Sequence, residues 1–325
     1  MKFGIISTAN IAQIALIPAI QESEHEIVAI GSREKEKAQG VAREFGIPQA
    51  YGSYEALLKD DNIDSIYNPL PNSLHAEYTK KAADEDLNIL CEKPLALSAR
   101  EAKEMGDYCE EKGITLMEAF MYRYHPRTER AAEIAENELE DIRSVKASFQ
   151  FPLRGRPNDI RLNPDLGGGS LMDVGCYAVN AARLFLGEPQ RVFGRTYDTR
   201  DCGVDTHLAG ILEYEDGATA EVSSSFDTPN TQFYRVEATN GWLEVKESFV
   251  PPKDEKVSLQ YSVDGRHVTE EFDPVNQYRL EVEHFVECVE KETQPRTDAE
   301  EAVKNMRVID SLYKSAEDDK TTRLD

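Results

Sequence analysis

Three side chains of this sequence are suited to moving a proton, Lys93, Tyr177 and Asp173, and each stands in local sequence that restricts where it sits. Lys93 comes just after residues 87–91, which read Leu-Asn-Ile-Leu-Cys, and just before Pro94. Such a run is too short for a helix and rich enough in branched side chains for a buried strand, which proline stops from continuing. Lys93 is thereby presented at a strand's carboxyl end, the edge of an open parallel sheet where ligands bind. Asp173 and Tyr177 follow the run Gly167-Gly168-Gly169, in a segment with helical patterning through Leu186. Four residues apart, they share one helix face. A phenol with an ordinary pKa of about 10 is a poor base until a neighbouring cation favours its ionised form, and Lys93 carries the charge for that. The competing reading makes Asp173 a helix cap and Tyr177 a packing residue.

The elements that must position these groups alternate in type. Residues 2–6 read as a buried strand that turns through Ser7, Thr8, Ala9 and Asn10 into an amphipathic helix over 11–21. A dinucleotide-binding turn places glycines here so that backbone N–H groups meet a pyrophosphate. In this chain Ser7, Ala9 and Ala12 hold those positions. A second strand, 27–31, runs into Ser32-Arg33, with Lys35 and Lys37 beyond. An acidic residue at that strand end would hold a ribose 2'-hydroxyl, whereas a hydroxyl beside a guanidinium suits a 2'-phosphate. This points to NADP, with NAD as the weaker alternative.

A helix over 34–45 closed by Gly46, a strand over 63–67 and a helix over 73–84 continue the rhythm, which implies right-handed crossovers and a parallel sheet. His75, just after a proline-rich loop, is a cap, a packing residue or a cofactor contact. Ser98 and Glu101 form a capping box for a helix ending at Gly113, and 114–120 reads as a further strand. Beyond residue 119, alternating segments joined by Asp216-Gly217, Asn240-Gly241 and Asp264-Gly265 predict an antiparallel sheet. Helices over 277–291 and 298–316 close the chain. The reading is α/β: a Rossmann domain, 1–118, followed by an α+β domain, 119–325, with a large, mostly antiparallel open sheet.

Composition excludes several roles. The chain has 61 acidic and 37 basic residues among 325, for a net charge of -24, and no basic stripe that could neutralise phosphates, so nucleic acid is not an expected partner. The acidic residues are spread over nearly every element, as in proteins that stay soluble in concentrated salt. Five scattered cysteines without a CxxC pair predict neither disulfides nor a zinc site, and fit a reducing cytoplasm. The first residues read as a strand rather than a signal peptide and no apolar run nears the roughly 18 residues of a membrane span, so neither secretion nor membrane insertion is expected.

Five segments, residues 4–12, Pro71 to His75, Glu92-Lys93-Pro94, Glu118 to Pro126 and Gly167 to Tyr177, together resemble the glucose-fructose oxidoreductase and inositol dehydrogenase family, in order and across nearly the whole chain. Many members carry histidine where this chain has Tyr177. Tyrosine is similar to the branch with dimeric dihydrodiol dehydrogenase and NADP-dependent D-xylose dehydrogenases. The resemblance implies Tyr177 as acid/base, Lys93 lowering its pKa, and Asp173 as a polar partner. It implies cofactor contacts at Ser7, Thr8, Ala9, Asn10, Ile11, Ala12, Ser32, Arg33, Lys37, Leu70, Asn72, His75, Glu92, Lys93, Arg161 and Tyr278. Tyr122, Arg123, Arg161 and residues near Asp159 are expected to wall the substrate pocket. Ile160 departs from the family, standing where some members have tryptophan. The implied reaction is hydride transfer between NADP and C1 of an aldose such as D-xylose or D-glucose, giving a lactone, in a homodimer or homotetramer joined through the open sheet face. Alternatives are a trans-dihydrodiol dehydrogenase, an anhydrosugar reductase, or an NADP-sensing regulator without turnover.

Overall fold

Strand β1 (Lys2–Ile6) exposes Lys2 and buries its other four residues, as an apolar segment covered on both faces does. In this computed structural model, which describes residues 1–324, β1 lies inside a parallel sheet with β2 (Glu26–Gly31), β3 (Gln49–Tyr51), β4 (Ser65–Asn68), β5 (Asn88–Glu92) and β6 (Leu116–Ala119). The order is β3-β2-β1-β4-β5-β6. Strand order reverses between β1 and β4, and the carboxyl ends there open a crevice of the kind that takes nucleotides. The crossovers hold α1 (Ile17–Gln21), α2 (Lys35–Phe45), α3 (Tyr54–Leu58), α4 (His75–Asp84) and α5 (Ala99–Lys112). The expected first helix begins as a π-helical turn, Ala12–Leu16. The Ser98 half of the capping box forms, Ser98 Oγ accepting from Glu101 N at 3.2 Å, while the Glu101 carboxylate accepts from Leu97 N at 2.7 Å. β3 and α3 were too short for periodicity to reveal.

The second unit, 121–275 with 304–324, carries α6 (Pro126–Asn137), β7 (Ile142–Gln150), α7 (Cys176–Leu186), β8 (Arg191–Tyr197), β9 (His207–Glu213), β10 (Thr219–Ser225), β11 (Thr231–Ala238), β12 (Gly241–Lys246), β13 (Val257–Val263) and β14 (Arg266–Phe272). With β15 (Thr322–Arg323) they form one sheet, ordered β14-β13-β12-β11-β7-β10-β9-β8-β15. All pairings are antiparallel except β7 with β10. The Asp264-Gly265 turn has positive φ at both residues, 50° and 79°, as a tight two-residue hairpin requires. One face of the sheet buries Val145, Ala147, Ala220, Val222, Tyr234 and Val236, and the alternate residues form an open face.

A single cut at 118/119 does not describe the chain. Residues Asn276–Val303 belong to the first unit, so α8 (Gln277–Lys291) packs there, while α9 (Ala299–Asp318) starts in the first unit and continues in the second. Val282, Phe285 and Val286 are the buried face of α8, with the Phe285 ring 6.1 Å from Phe3. Asn276 Nδ2 donates to Glu22 at 2.7 Å, and Thr297 Oγ1 donates to the Glu118 carbonyl at 2.6 Å. Local pattern identifies such a helix but not the surface it docks on. No helix among the described residues is long and apolar enough to cross a membrane.

Candidate active site

The turn after β1 has the conformation that glycine usually supplies. Ser7 sits at φ 113°, and its N–H donates to the Gly31 carbonyl at 3.0 Å, which ties the turn to β2. The N–H groups of Thr8, Ala9 and Asn10 carry no hydrogen-bond partner among the described residues, the condition in which a helix start receives a pyrophosphate. Ile11 is half-buried and Ala12 fully buried behind them. At the end of β2 Ser32 is buried and its hydroxyl accepts from Glu34 N at 3.3 Å, while Arg33 and Lys37 are exposed. Lys37 is held by Glu34 at 2.7 Å. This turn and strand end fit a dinucleotide bearing a 2'-phosphate, with Ser32 and Arg33 at hand for that group.

Around the end of β5 the same unit gathers the loop residues. Lys93 is half-buried, and Glu92 accepts from Tyr67 OH at 2.6 Å. The Tyr67 phenol, wholly buried beside Glu92, is pushed well above its ordinary pKa. From α8, Tyr278 and Glu281 face the same carboxylate: burial and the Glu92 charge raise both, Glu281 well above the usual carboxylate range. The sequence placed Tyr278 in the second domain, but α8 brings it to Glu92. Tyr67 and Glu281 gave no signal in the sequence, since an isolated tyrosine in a strand and a glutamate in a charged helix read as ordinary. His75 departs from the cofactor-contact reading. It is wholly buried, its ring nitrogens 3.0 Å from the Pro94 carbonyl and 2.8 Å from the Leu70 carbonyl, so it braces two loops. Burial outweighs those carbonyls and holds its pKa down to about 4. Leu70 is buried, and the half-buried Asn72 opens the short 3-10 turn before α4.

In the second unit the glycine run closes on its own chain. A Cβ on Gly168 would stand 2.5 Å from the Arg161 carbonyl, and Gly169 N donates to that carbonyl at 2.9 Å. This approach sets Arg161 beside the helix that follows: its Nε donates to Asp173 Oδ2 at 2.7 Å and its Nη1 to Asp159 Oδ1 at 3.1 Å. The two carboxylates hold the guanidinium charged. Asp173 is therefore not a cap. That task falls to Asp205, which accepts from Leu171 N, Ser170 Oγ and Tyr313 OH at 2.8, 2.7 and 2.7 Å, a contact the sequence did not indicate.

Tyr177, 3% exposed, stands among Tyr122, Phe149 and Phe249, with ring centroids 5.9, 5.4 and 5.3 Å away, and its hydroxyl points to Met121 Sδ at 3.3 Å. Tyr122 was expected to wall a pocket. It is instead fully enclosed, its hydroxyl donating to Asn180 Oδ1 at 2.5 Å and its ring packed against that of Tyr177. Arg123, half-buried, donates to the same Asn180 oxygen at 3.1 Å. Among the described residues no three or more His, Cys, Asp or Glu side chains cluster as metal ligands would.

One unit has a parallel sheet with a nucleotide-type crevice, and the other holds a tyrosine among aromatic rings and an Arg–Asp pair, the two kinds of part that a dinucleotide-dependent oxidoreductase needs. Residues 1–120 match the model of the oxidoreductase family with an NAD-binding Rossmann fold, and 130–244 match the GFO/IDH/MocA C-terminal domain. The chain belongs to the GFO/IDH/MocA oxidoreductase family. It is 57% identical over 325 residues, all of both chains, to D-xylose 1-dehydrogenase (NADP(+)) 2 of Haloferax volcanii. It is 31% identical to trans-1,2-dihydrobenzene-1,2-diol dehydrogenase of Xenopus laevis, covering 89% of each. Among solved structures it resembles a 3-ketoreductase from Actinomadura kijaniata in complex with NADP and TDP-benzene, with TM-score 0.91, 29% identity and 97% of each chain covered. It also resembles the aldose-aldose oxidoreductase of Caulobacter crescentus complexed with glycerol, with TM-score 0.92, 29% identity, and coverage of 100% and 99%.

Proposed function

We propose that this protein is an NADP-dependent sugar dehydrogenase that oxidises C1 of an aldopyranose, D-xylose before D-glucose, to the lactone. The observation that carries this reading is the full-length, 57% identity to an NADP-dependent D-xylose 1-dehydrogenase. Ser32 and Arg33 at the end of β2 support it from this chain's own residues. When bound, NADP supplies the hydride acceptor and the protein supplies position and charge. The N–H groups of Thr8, Ala9 and Asn10 hold the pyrophosphate, and Ser32 with Arg33 holds the 2'-phosphate. Glu92, Asn72, Leu70 and Tyr278 complete the cofactor contacts. Tyr177 takes the proton from the C1 hydroxyl, and Lys93, half-buried just after β5, is assigned the part of the cation in the reaction. Asp173, fixed by Arg161, and Arg123 orient the sugar. The aromatic rings around Tyr177 keep water from the phenol, so the proton passes to and from substrate.

The test is reduction of NADP+ by purified protein in high salt, with D-xylose, D-glucose, other aldoses and trans-dihydrodiols compared by kcat/KM. A preference for D-xylose is expected. Turnover of dihydrodiols above all sugars would replace this reading with the diol dehydrogenase one, which the 31% identical relatives favour. NADP binding without any turnover would favour a sensor. We further propose a homodimer or homotetramer through the open sheet face, where Phe193, Ile211 and Phe233 line a depression of about 370 Å³. Light scattering in high salt reads the mass directly.

A further inference from the structure

Four buried polar atoms of the second unit belong to neighbouring side chains, Arg127 Nε, Thr128 Oγ1, Tyr234 OH and Ser248 Oγ, and outside this group none has a hydrogen-bond partner among the described residues, the Thr128 hydroxyl standing within reach of the Tyr234 phenol. None of these residues is more than 2% exposed. Arg127 Nη1 donates to the Lys246 carbonyl at 3.1 Å and Nη2 to the Glu247 carbonyl at 2.7 Å, which brings Ser248, the next residue, to the guanidinium. Tyr234 pairs with Val245 across β11 and β12. Its phenol lies beside Thr128 and within the field of both Arg127 and Arg123.

The charge here is not balanced. Arg127 forms no ion pair among the described residues, and the acid that acts on it, Glu247, is exposed and contributes its carbonyl. Burial accordingly disfavours the charged guanidinium, and a buried charge is costly unless it is paired. Arg127 and Thr128 also lie in the first turn of the 12-residue α6, whose dipole places further positive potential at that end. The N–H groups of this turn are engaged by the cap residue, Arg127 N donating to His125 Nδ1 at 3.0 Å and Thr128 N to the His125 carbonyl at 2.8 Å. The side chains are thus left to find their own acceptor.

We propose that Arg127, Thr128, Tyr234 and Ser248 enclose a small monatomic anion, chloride in a salt-rich medium. Arginine Nε can only donate, and each hydroxyl can donate. A water molecule accepts two hydrogen bonds and brings no charge, whereas a halide accepts from more donors at once, Arg127 Nε and the hydroxyls that remain free to donate, and neutralises the guanidinium. In a chain of net charge -24 the long-range field repels anions, so occupancy depends on these contacts and on high salt.

The experiment uses bromide in place of chloride. Crystals of the whole protein soaked in sodium bromide are expected to show an anomalous peak within hydrogen-bond distance of Arg127 Nε and the Tyr234 hydroxyl. In solution, thermal stability is expected to be greater in sodium chloride than in sodium gluconate at matched ionic strength. Thr128→Val and Tyr234→Phe, which remove one hydroxyl each while keeping shape, are expected to reduce that difference and leave NADP affinity and turnover unchanged. Density without a bromide signal overturns the proposal in favour of a buried water. So does a chloride preference that survives Tyr234→Phe undiminished. If a variant fails to fold, the bromide soak of the unaltered protein still decides.

Discussion

The turn after β1 and the glycine run before α7 are built the opposite way round from what glycine content suggests. At the first, where a nucleotide-binding fold places glycine, the chain has Ser7 at φ 113° and leaves three N–H groups without a partner among the described residues. At the second, Gly167 and Gly169 have positive φ and Gly168 lies against the Arg161 carbonyl, so the glycines serve an internal contact that sets Arg161 on Asp173. A glycine-rich segment thus marks close approach of backbone, whose partner can be the chain itself. A glycine-poor turn can still receive a ligand if its strain is held by neighbours.

The largest effect is expected behind the second turn. Tyr177→Phe removes a hydroxyl and keeps the ring packed among Tyr122, Phe149 and Phe249. NADP binding should persist while turnover falls about 100-fold or more, the scale of general acid/base catalysis. Near-normal kcat on good sugar substrates would return Tyr177 to a packing role. Gly168→Ala tests the turn itself: a methyl 2.5 Å from a backbone oxygen has no side chain to displace, and a loss of about 3 kcal/mol is expected by denaturant unfolding, with kcat falling as Arg161 leaves Asp173. A neutral outcome would show that the Arg161 loop yields freely.

The first unit should respond to acid through His75. Its folded pKa, about 4, lies below the ordinary value of 6.5, so the unfolded state binds more protons between those limits. The stabilisation is fully present above about pH 6.5 and is lost as pH falls towards 4, by about 3 kcal/mol in all. His125 in the second unit, also lowered to about 4 by burial, adds in the same direction. Stability measured from pH 7 to 4.5 should show this slope, and His75→Gln should flatten part of it. An unchanged slope in the variant would remove His75 from the account.

Much of this was legible in the sequence, for reasons that also explain the gaps. β1, β5 and α5 announce themselves by apolar runs, Pro94 and the Ser98 cap, because these are local devices. Lys93, Ser32 and Tyr177 could be singled out because each adjoins such a device. Asp205 reaching Leu171, Asn180 reaching Tyr122, and Glu281 beside Glu92 are contacts between residues distant in sequence, and no spacing encodes them. His75 and Tyr122 were placed near the ligand because they lie in the right segments. Their side chains turn inward, which local sequence does not state.

A smaller effect is expected at the strand end that serves the first turn. Arg33→Ala should weaken NADP by about 1 to 3 kcal/mol, the range of a charge-assisted contact, and hardly change NAD. Isothermal titration with both nucleotides checks it, and equal losses would place the 2'-phosphate elsewhere.

The smallest change sharpens the comparison most. If Ser7 is a strained stand-in for glycine, Ser7→Gly relieves a backbone cost of about 1 to 3 kcal/mol. It also gives the unfolded chain more freedom, which offsets about 0.5 to 1 kcal/mol. The balance is a gain of about 1 kcal/mol, read as a higher denaturant midpoint at unchanged slope. NADP affinity should hold, because the Ser7 N–H still meets the Gly31 carbonyl and the N–H groups of Thr8, Ala9 and Asn10 keep their directions. A loss of stability would mean that the Ser7 side chain stabilises the turn by more than its backbone costs. A loss of affinity without loss of stability would make the hydroxyl itself a cofactor contact, and the first turn would then hold its ligand through a side chain that glycine cannot supply.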